Sequence, residues 1–176
     1  MFVTKSHQLH LQLLCAAAFA LGSAGAQAAT ANAAASGTVV APIAISAVNS
    51  LAFGSFAPGA GGTVTISTSG MRAAVGAVLM GASAGSAARF DITGEAGSTY
   101  VITHSGSTEL SNGSATMVLT KFSDLTGANG TSGTATAGTL DAAGAQSLFV
   151  GGTLAVSATQ ATGVYTGTVI ATVEYN

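Results

Sequence analysis

GVYTGTVIATVEYN, residues 163–176, is the stretch whose reading decides the fold. Its odd positions carry Tyr165, Gly167, Val169, Ala171, Val173 and Tyr175, and its even positions carry Thr166, Thr168, Thr172, Glu174 and Asn176, with Val164 and Ile170 as the departures. Successive strand side chains point to opposite faces, so a period of two gives one core face and one water face. A strand of that length would run roughly 40 Å, long for a globular protein. With the chain ending on it, the run reads as the closing strand of a β-sandwich and as a structural or assembly element.

The opposite end reads as an export signal. Lys5 gives a small positive start, residues 11–21 (LQLLCAAAFAL) are an apolar run too short to span a bilayer, and Ala26-Gln27-Ala28 supplies the small residues of a cleavage site. Cleavage is placed after Ala28, with Ala29 as the near alternative. Leu14 before Cys15 is too large for a lipoprotein site, so the cysteine leaves with residues 1–28. The expected mature chain has 176 − 28 = 148 residues and no cysteine, so burial and backbone pairing must hold it together. It is long enough for one domain, and no apolar run beyond the signal is long enough for a transmembrane helix.

Charge is scarce. Arg72, Arg89 and Lys121 stand against Asp91, Glu95, Glu109, Asp124, Asp141 and Glu174, a net of three minus six. Nucleic-acid binding needs clustered Lys and Arg, and docking to anionic lipid needs them too; neither pattern is present. The whole chain is 48% hydrophobic and 6% charged, the reverse of the disordered composition. Its polar surface is made of Thr and Ser hydroxyls, which suit strands and close packing of identical subunits.

Along the chain the alternation recurs. Residues 29–37 form a small-residue extension in which Ala31, Ala33, Ala35 and then Val39 share a parity. Residues 38–48 read as a first core strand, at an edge or bent at Pro42, which cannot donate to a ladder. Residues 51–56 are a compact aromatic segment, and 57–62 a turn. Residues 63–67 place Val64 and Ile66 inward, and residues 71–80 place Met71, Ala73, Val75, Ala77 and Leu79 on one face. Ala88, Phe90 and Ile92, reversed by residues 94–97 into Tyr100 and Ile102, give the clearest hairpin signal. Asn112-Gly113 is a turn dipeptide of the primed type, and 116–122 alternates again. Residues 127–138 read as a mobile surface loop, and Gly151-Gly152 separates two short runs at 148–150 and 153–157. Seven to ten short strands with regular turns predict an all-β, antiparallel, immunoglobulin-like sandwich over 38–176.

The residues that carry chemistry are dispersed. His104 is the single histidine beyond residue 28, with no motif around it, and reads as an edge or surface histidine. Zinc would need three or four ligands at short spacing and calcium a cluster of acids. Asp91 and Glu95 lie four apart across a turn, a solvated pair. No nucleophile elbow or phosphate loop is present. Asn112-Gly113-Ser114 and Asn129-Gly130-Thr131 fit glycosylation triplets that Thr- and Gly-rich loops produce by chance. We expect no enzyme activity, no metal and no cofactor.

Residues 51–62 (LAFGSFAPGAGG), 63–67 with Gly70, 87–100 (AARFDITGEAGSTY), Gly151-Gly152-Thr153-Leu154 and the closing run together resemble the DUF4402 family of bacterial exported proteins over about 38–176. The closing run is also similar to the last strand of chaperone–usher pilins and spore-coat-U-type subunits. That similarity implies an incomplete sandwich completed by a neighbour's N-terminal extension. It implies a subunit of a surface fibre or adhesive layer, reaching the cell surface or exterior through the periplasm. The implied partners are copies of itself, a periplasmic chaperone and an outer-membrane usher. Donor-strand complementation would then use Ala31, Ala33, Ala35 and Val39 on one side and Tyr165, Val169, Val173 and Tyr175 on the other. The rival reading is a self-complete monomeric binding module of the periplasm or cell surface. An outer-membrane barrel would need aromatic girdles, which a chain without Trp does not supply.

Overall fold

The computed structural model describes residues 27–81 and 84–176. The export signal read over 1–28 lies outside them except for its last two residues. Val39–Asn176 form one compact unit. The unit before it, described from residue 27, has no regular secondary structure.

Among the described residues there are twelve strands and no helix. They are β1 (Ala44–Asn49), β2 (Phe56–Ala57), β3 (Gly62–Ile66), β4 (Arg72–Val75), β5 (Val78–Leu79) and β6 (Ala88–Thr93), then β7 (Thr99–Gly106), β8 (Glu109–Ser111), β9 (Thr116–Asp124), β10 (Ala137–Thr139), β11 (Ala145–Val156) and β12 (Val169–Tyr175). Every ladder between them is antiparallel, as the all-β sandwich requires. The number exceeds the seven to ten expected because several strands are only two or three residues long.

β11 organises the large sheet. One edge of it pairs with β6 through Ala145–Val150 and then with β3 through Gly152–Val156. The other edge pairs with β9 through residues 149–154. β1 extends the sheet from β6, β4 from β3, and β8 from β9. A second sheet has the order β10-β7-β12, and β2 and β5 form a small ribbon. The two runs around Gly151-Gly152 are therefore one strand. The glycines are there for space. A Cβ on Gly151 would collide with the Phe122 ring and the Ile66 carbonyl oxygen, and one on Gly152 would lie 2.9 Å from Leu119 Cδ1.

The inner face of β11 serves two adjoining cores. Leu148 and Val150 pack with Ala88, Phe90 and Ile92 against Tyr100, Ile102 and Val173 of the second sheet. Leu154 and Val156 pack with Val64, Ile66, Met117, Leu119 and Phe53. Burial of this apolar area is what holds a domain with no disulfide.

Several expectations are corrected. Phe90, Ile92, Tyr100 and Ile102 do point inward, but β6 and β7 do not pair. β6 lies between β1 and β11, β7 between β10 and β12, and residues 94–98 arch from one sheet to the other. Inward parity is the same whether two strands sit side by side or face each other across a core, so alternation alone does not separate the two. The Asn112-Gly113 turn does close a hairpin, β8 to β9, but as a four-residue loop in which Asn112 Oδ1 accepts the N–H of Ser114 and Ala115. In residues 71–75 the faces are inverted, with Met71 and Val75 65% and 73% exposed, whereas beyond the turn at Gly76 Ala77 packs on the core as expected. Within the inverted stretch it is Ala74 that packs on the core, and the Arg72 guanidinium turns back to donate to the carbonyls of Phe53 and Ser55. The closing strand is seven residues rather than the whole run. β1 starts two residues after Pro42, so the first strand is shorter than expected.

The segment read as a mobile loop is tied down. Asp124 Oδ1 accepts the N–H groups of Thr126 and Gly127 at 2.9 and 2.5 Å, and Asp124 Oδ2 accepts the Thr68 hydroxyl. Gly130 N–H donates to Thr68 Oγ1, and Thr68 N–H to the Gly130 carbonyl. The end of the segment enters β10. Burial alone would raise the Asp124 carboxyl; the bonds from Thr68, Thr126, Gly127 and Ala128 outweigh it and hold the group below its usual range.

Candidate assembly surface

The closing strand has the expected two faces. Val173 is buried in the first core, with Val169, Ala171 and Tyr175 packed against it, while Ile170, Thr172 and Glu174 face out. Among the described residues β12 pairs with β7 alone, through residues 169–175. Likewise β1 pairs with β6 alone. β1 and β12 approach each other without sharing a ladder. The sandwich thus presents two strands from different sheets, each with an unpaired backbone edge, side by side. Unpaired N–H and C=O groups in a row are a template for another strand.

Tyr175 fixes how the chain enters this side. Its hydroxyl accepts the Glu95 N–H at 2.6 Å and donates to the Ala41 carbonyl at 2.9 Å. Glu95 Oε2 in turn accepts the Ala41 N–H at 3.0 Å. Gly94 makes the room: a Cβ there would collide with the Tyr175 hydroxyl. A residue of the arch, one of the last strand and one ahead of β1 are thereby joined. Immediately outward of Ala41, Val39 is 99% exposed.

Of the residues expected to mediate subunit contact, Ala31, Ala33 and Ala35 are exposed and outside any strand. Val169, Val173 and Tyr175 share the core face of β12, and Tyr165 belongs to the second core. These last four do not form one patch. Tyr165 instead lines a cleft of about 510 Å³ between residues 51–58 and 160–165, whose apolar wall includes Phe53, Phe56, Leu110, Met117 and Leu154. Sequence reading missed this cleft and the Tyr175 network. The aromatic cluster in 51–56 was the one signal pointing to the cleft.

His104 is half-buried rather than free at an edge. Its Nε2 lies 2.9 Å from the Ala135 carbonyl oxygen and 3.2 Å from Ser123 Oγ. A carbonyl can only accept, so Nε2 carries the proton and is not placed to take one from Ser123. Ser123 is 5% exposed and its Oγ accepts the Ala135 N–H. The trio braces the 126–136 segment between the sheets. Arg89 and Asp91 form an ion pair at 2.9 Å on the outer face, steadied by the Ser147 hydroxyl. Among the described residues no three of His, Cys, Asp and Glu are grouped to hold a metal ion, and no helix is long and apolar enough to cross a membrane.

No curated protein and no solved structure matches the chain. A family described as a domain of unknown function, DUF4402, matches residues 43–175, which takes in all twelve strands. The chain belongs to the DUF4402 family.

Proposed function

We propose that this protein is an exported structural subunit of a bacterial surface fibre or adhesive layer, and that it assembles by accepting a strand from a neighbouring copy. The observation that supports this reading is the open backbone edge of β12 beside the open edge of β1. An added strand would gain main-chain hydrogen bonds there and extend the three-stranded sheet, the smaller of the two main sheets. The donor is the alternating extension over 29–37 with Val39. Its alanine face anchors weakly, since each buried methyl-sized group contributes only about 0.8 kcal/mol, so the ladder bonds carry much of the affinity. On this reading the role is structural rather than enzymatic, with export through the periplasm aided by a chaperone and an usher.

The test is a pair of altered chains. Deleting residues 30–36 leaves a folded subunit that no longer forms high-mass ladders on unboiled gels. Appending a copy of residues 29–39 after Asn176 through a flexible linker gives a stable monomer. If the deleted chain still polymerises, or the full chain stays monomeric at high concentration, strand donation is excluded, and a self-complete binding module becomes the better reading.

A further inference from the structure

The guanidinium of Arg89 is only partly engaged. Its Nε and Nη2 donate to the two oxygens of Asp91, at 2.9 and 3.2 Å. A guanidinium carries more donors than these, and those on Nη1, with the second on Nη2, find no acceptor among the described residues. The donors along the Nη1–Nη2 edge lie parallel, in the spacing that grips a planar carboxylate. The edge is also held in place. The Ser147 hydroxyl donates to Asp91 Oδ1 at 2.8 Å, and the centre of the Phe149 ring lies 5.9 Å from Arg89 Cζ.

Arg89 lines a pocket of about 370 Å³ on the outer face of the large sheet. Asn49 stands opposite it in the β1–β6 register and Phe149 in the β6–β11 register, while Ser69 and Ser86 come from loops. Among the lining residues Arg89 alone is charged. The Ser69 hydroxyl donates to Asn129 Oδ1 and the Ser86 hydroxyl to the Ser50 carbonyl, so each keeps an oxygen lone pair with which to accept. The exposed Asn49 amide makes no hydrogen bond among the described residues and can both donate and accept. One wall is fixed in advance. Gly127 N–H donates to Asp124 Oδ1, and the Thr68 hydroxyl is bonded to both Asp124 and Gly130. A site shaped before its ligand arrives loses less to ordering on binding.

These partners define the occupant. The open edge of Arg89 calls for a planar anionic acceptor. The serine oxygens and Asn49 call for hydroxyl donors on the same molecule. A dianion such as phosphate is disfavoured, because Asp91 already offsets the one positive charge and repels a second negative one. The volume lies near the lower end of the range for small-molecule sites and suits a single sugar ring. We propose that this pocket binds an acidic monosaccharide, a hexuronate, with its carboxylate on the Nη1–Nη2 edge of Arg89 and its ring hydroxyls on Ser69, Ser86 and Asn49. The inference goes beyond the assembly reading and stands or falls separately from it.

Saturation-transfer NMR on the full chain tests it, since the signal is read on the ligand whatever the size of the assembly. The probes are methyl glucuronide and methyl glucoside, which differ only in a carboxylate against a hydroxymethyl group. The glucuronide binds with a saturable signal, and the glucoside binds about tenfold more weakly or not at all, the loss expected for one charge-assisted pair. Arg89→Lys keeps the charge and loses the parallel donors, so it weakens glucuronide binding by about tenfold as well. Asn49→Asp, at an exposed position beside Arg89, sets a competing carboxylate at the rim and has the same effect without touching the core. A thermal melt confirms that both variants fold. Equal binding of the two glycosides, full-strength binding to Arg89→Lys, or displacement of the glucuronide by an equal concentration of inorganic phosphate overturns the proposal. So does a glucuronide that gives no saturable signal with the unaltered chain.

Discussion

Two tyrosines sit directly opposite each other across the β7–β12 ladder, and removing one oxygen from each has opposite consequences. Tyr175 pairs with Tyr100 in register. The Tyr175 hydroxyl makes two hydrogen bonds, to Glu95 N–H and the Ala41 carbonyl. The Tyr100 hydroxyl, on a residue 0% exposed, has no partner among the described residues, and burial pushes its pKa up. A hydrogen bond contributes roughly 0.5–1.5 kcal/mol net, and a buried unpaired polar group costs roughly 1–3 kcal/mol. Tyr175→Phe therefore destabilises by about 1–2 kcal/mol, taking the lower part of the two-bond range because the side chain is only half-buried. Tyr100→Phe keeps the ring in place and is neutral or stabilising by about 1 kcal/mol. Urea unfolding of both variants, with unchanged slope, reads the difference. Amide exchange adds a local reading: Glu95 N–H loses protection in Tyr175→Phe and keeps it in Tyr100→Phe. Gly94→Ala, which displaces the Tyr175 hydroxyl, resembles Tyr175→Phe in both measurements. Equal losses in the two phenylalanine variants would refute the hydrogen-bond assignment.

Three further outcomes are expected. Asp124 has a depressed carboxyl pKa, so its contribution is present above the unfolded value of about 3.9 and is lost as pH falls through the folded one; urea midpoints of Asp124→Asn show a lower plateau at neutral pH and a flatter decline below pH 4 than the unaltered chain. Gly151→Ala forces the Phe122 ring and the Ile66 carbonyl aside and destabilises by about 1–3 kcal/mol, read from the denaturation midpoint. Ile66→Ala costs about 2–5 kcal/mol whereas Met71→Gln stays within about 0.5 kcal/mol, and comparable costs would mean the β3–β4 register is wrong.

The parts of the fold that were legible in the sequence are those where a large residue alternates with a polar one. Val169, Val173 and Tyr175 against Thr172 and Glu174, or Val64 and Ile66 against Thr63 and Thr65, leave one inward parity open. Residues 71–75 defeated the same reasoning because both parities are small or aliphatic, and the one charged residue, Arg72, faces inward to satisfy backbone carbonyls. The arch at 94–98 was misread because its glycines and its alternation suit a hairpin equally. What selects the arch is long-range: the Gly94 N–H bonds to the Gly144 carbonyl, and Glu95 N–H to Tyr175, 80 residues away. The cleft is of the same kind, since its two walls are about a hundred residues apart in the chain. Strand composition reports what a residue would bury, and such distant partnerships lie beyond it.

The placement of β11 governs the order in which the molecule can form. Its three direct partners, β3, β6 and β9, all precede it, and Val64 must find Leu154 across 90 residues. Closing so long a loop costs entropy before any ladder bond is made, and folds built on such pairings are slow. During synthesis β3, β6 and β9 emerge with their β11-facing edges bare and their apolar faces wet, and they stay so until residue 156 is made. Partly made chains exposing unpaired strands stick to one another. The interval before β11 arrives is therefore the stage at which this protein most needs to be kept from its own copies, the same copies it is proposed to join once folded.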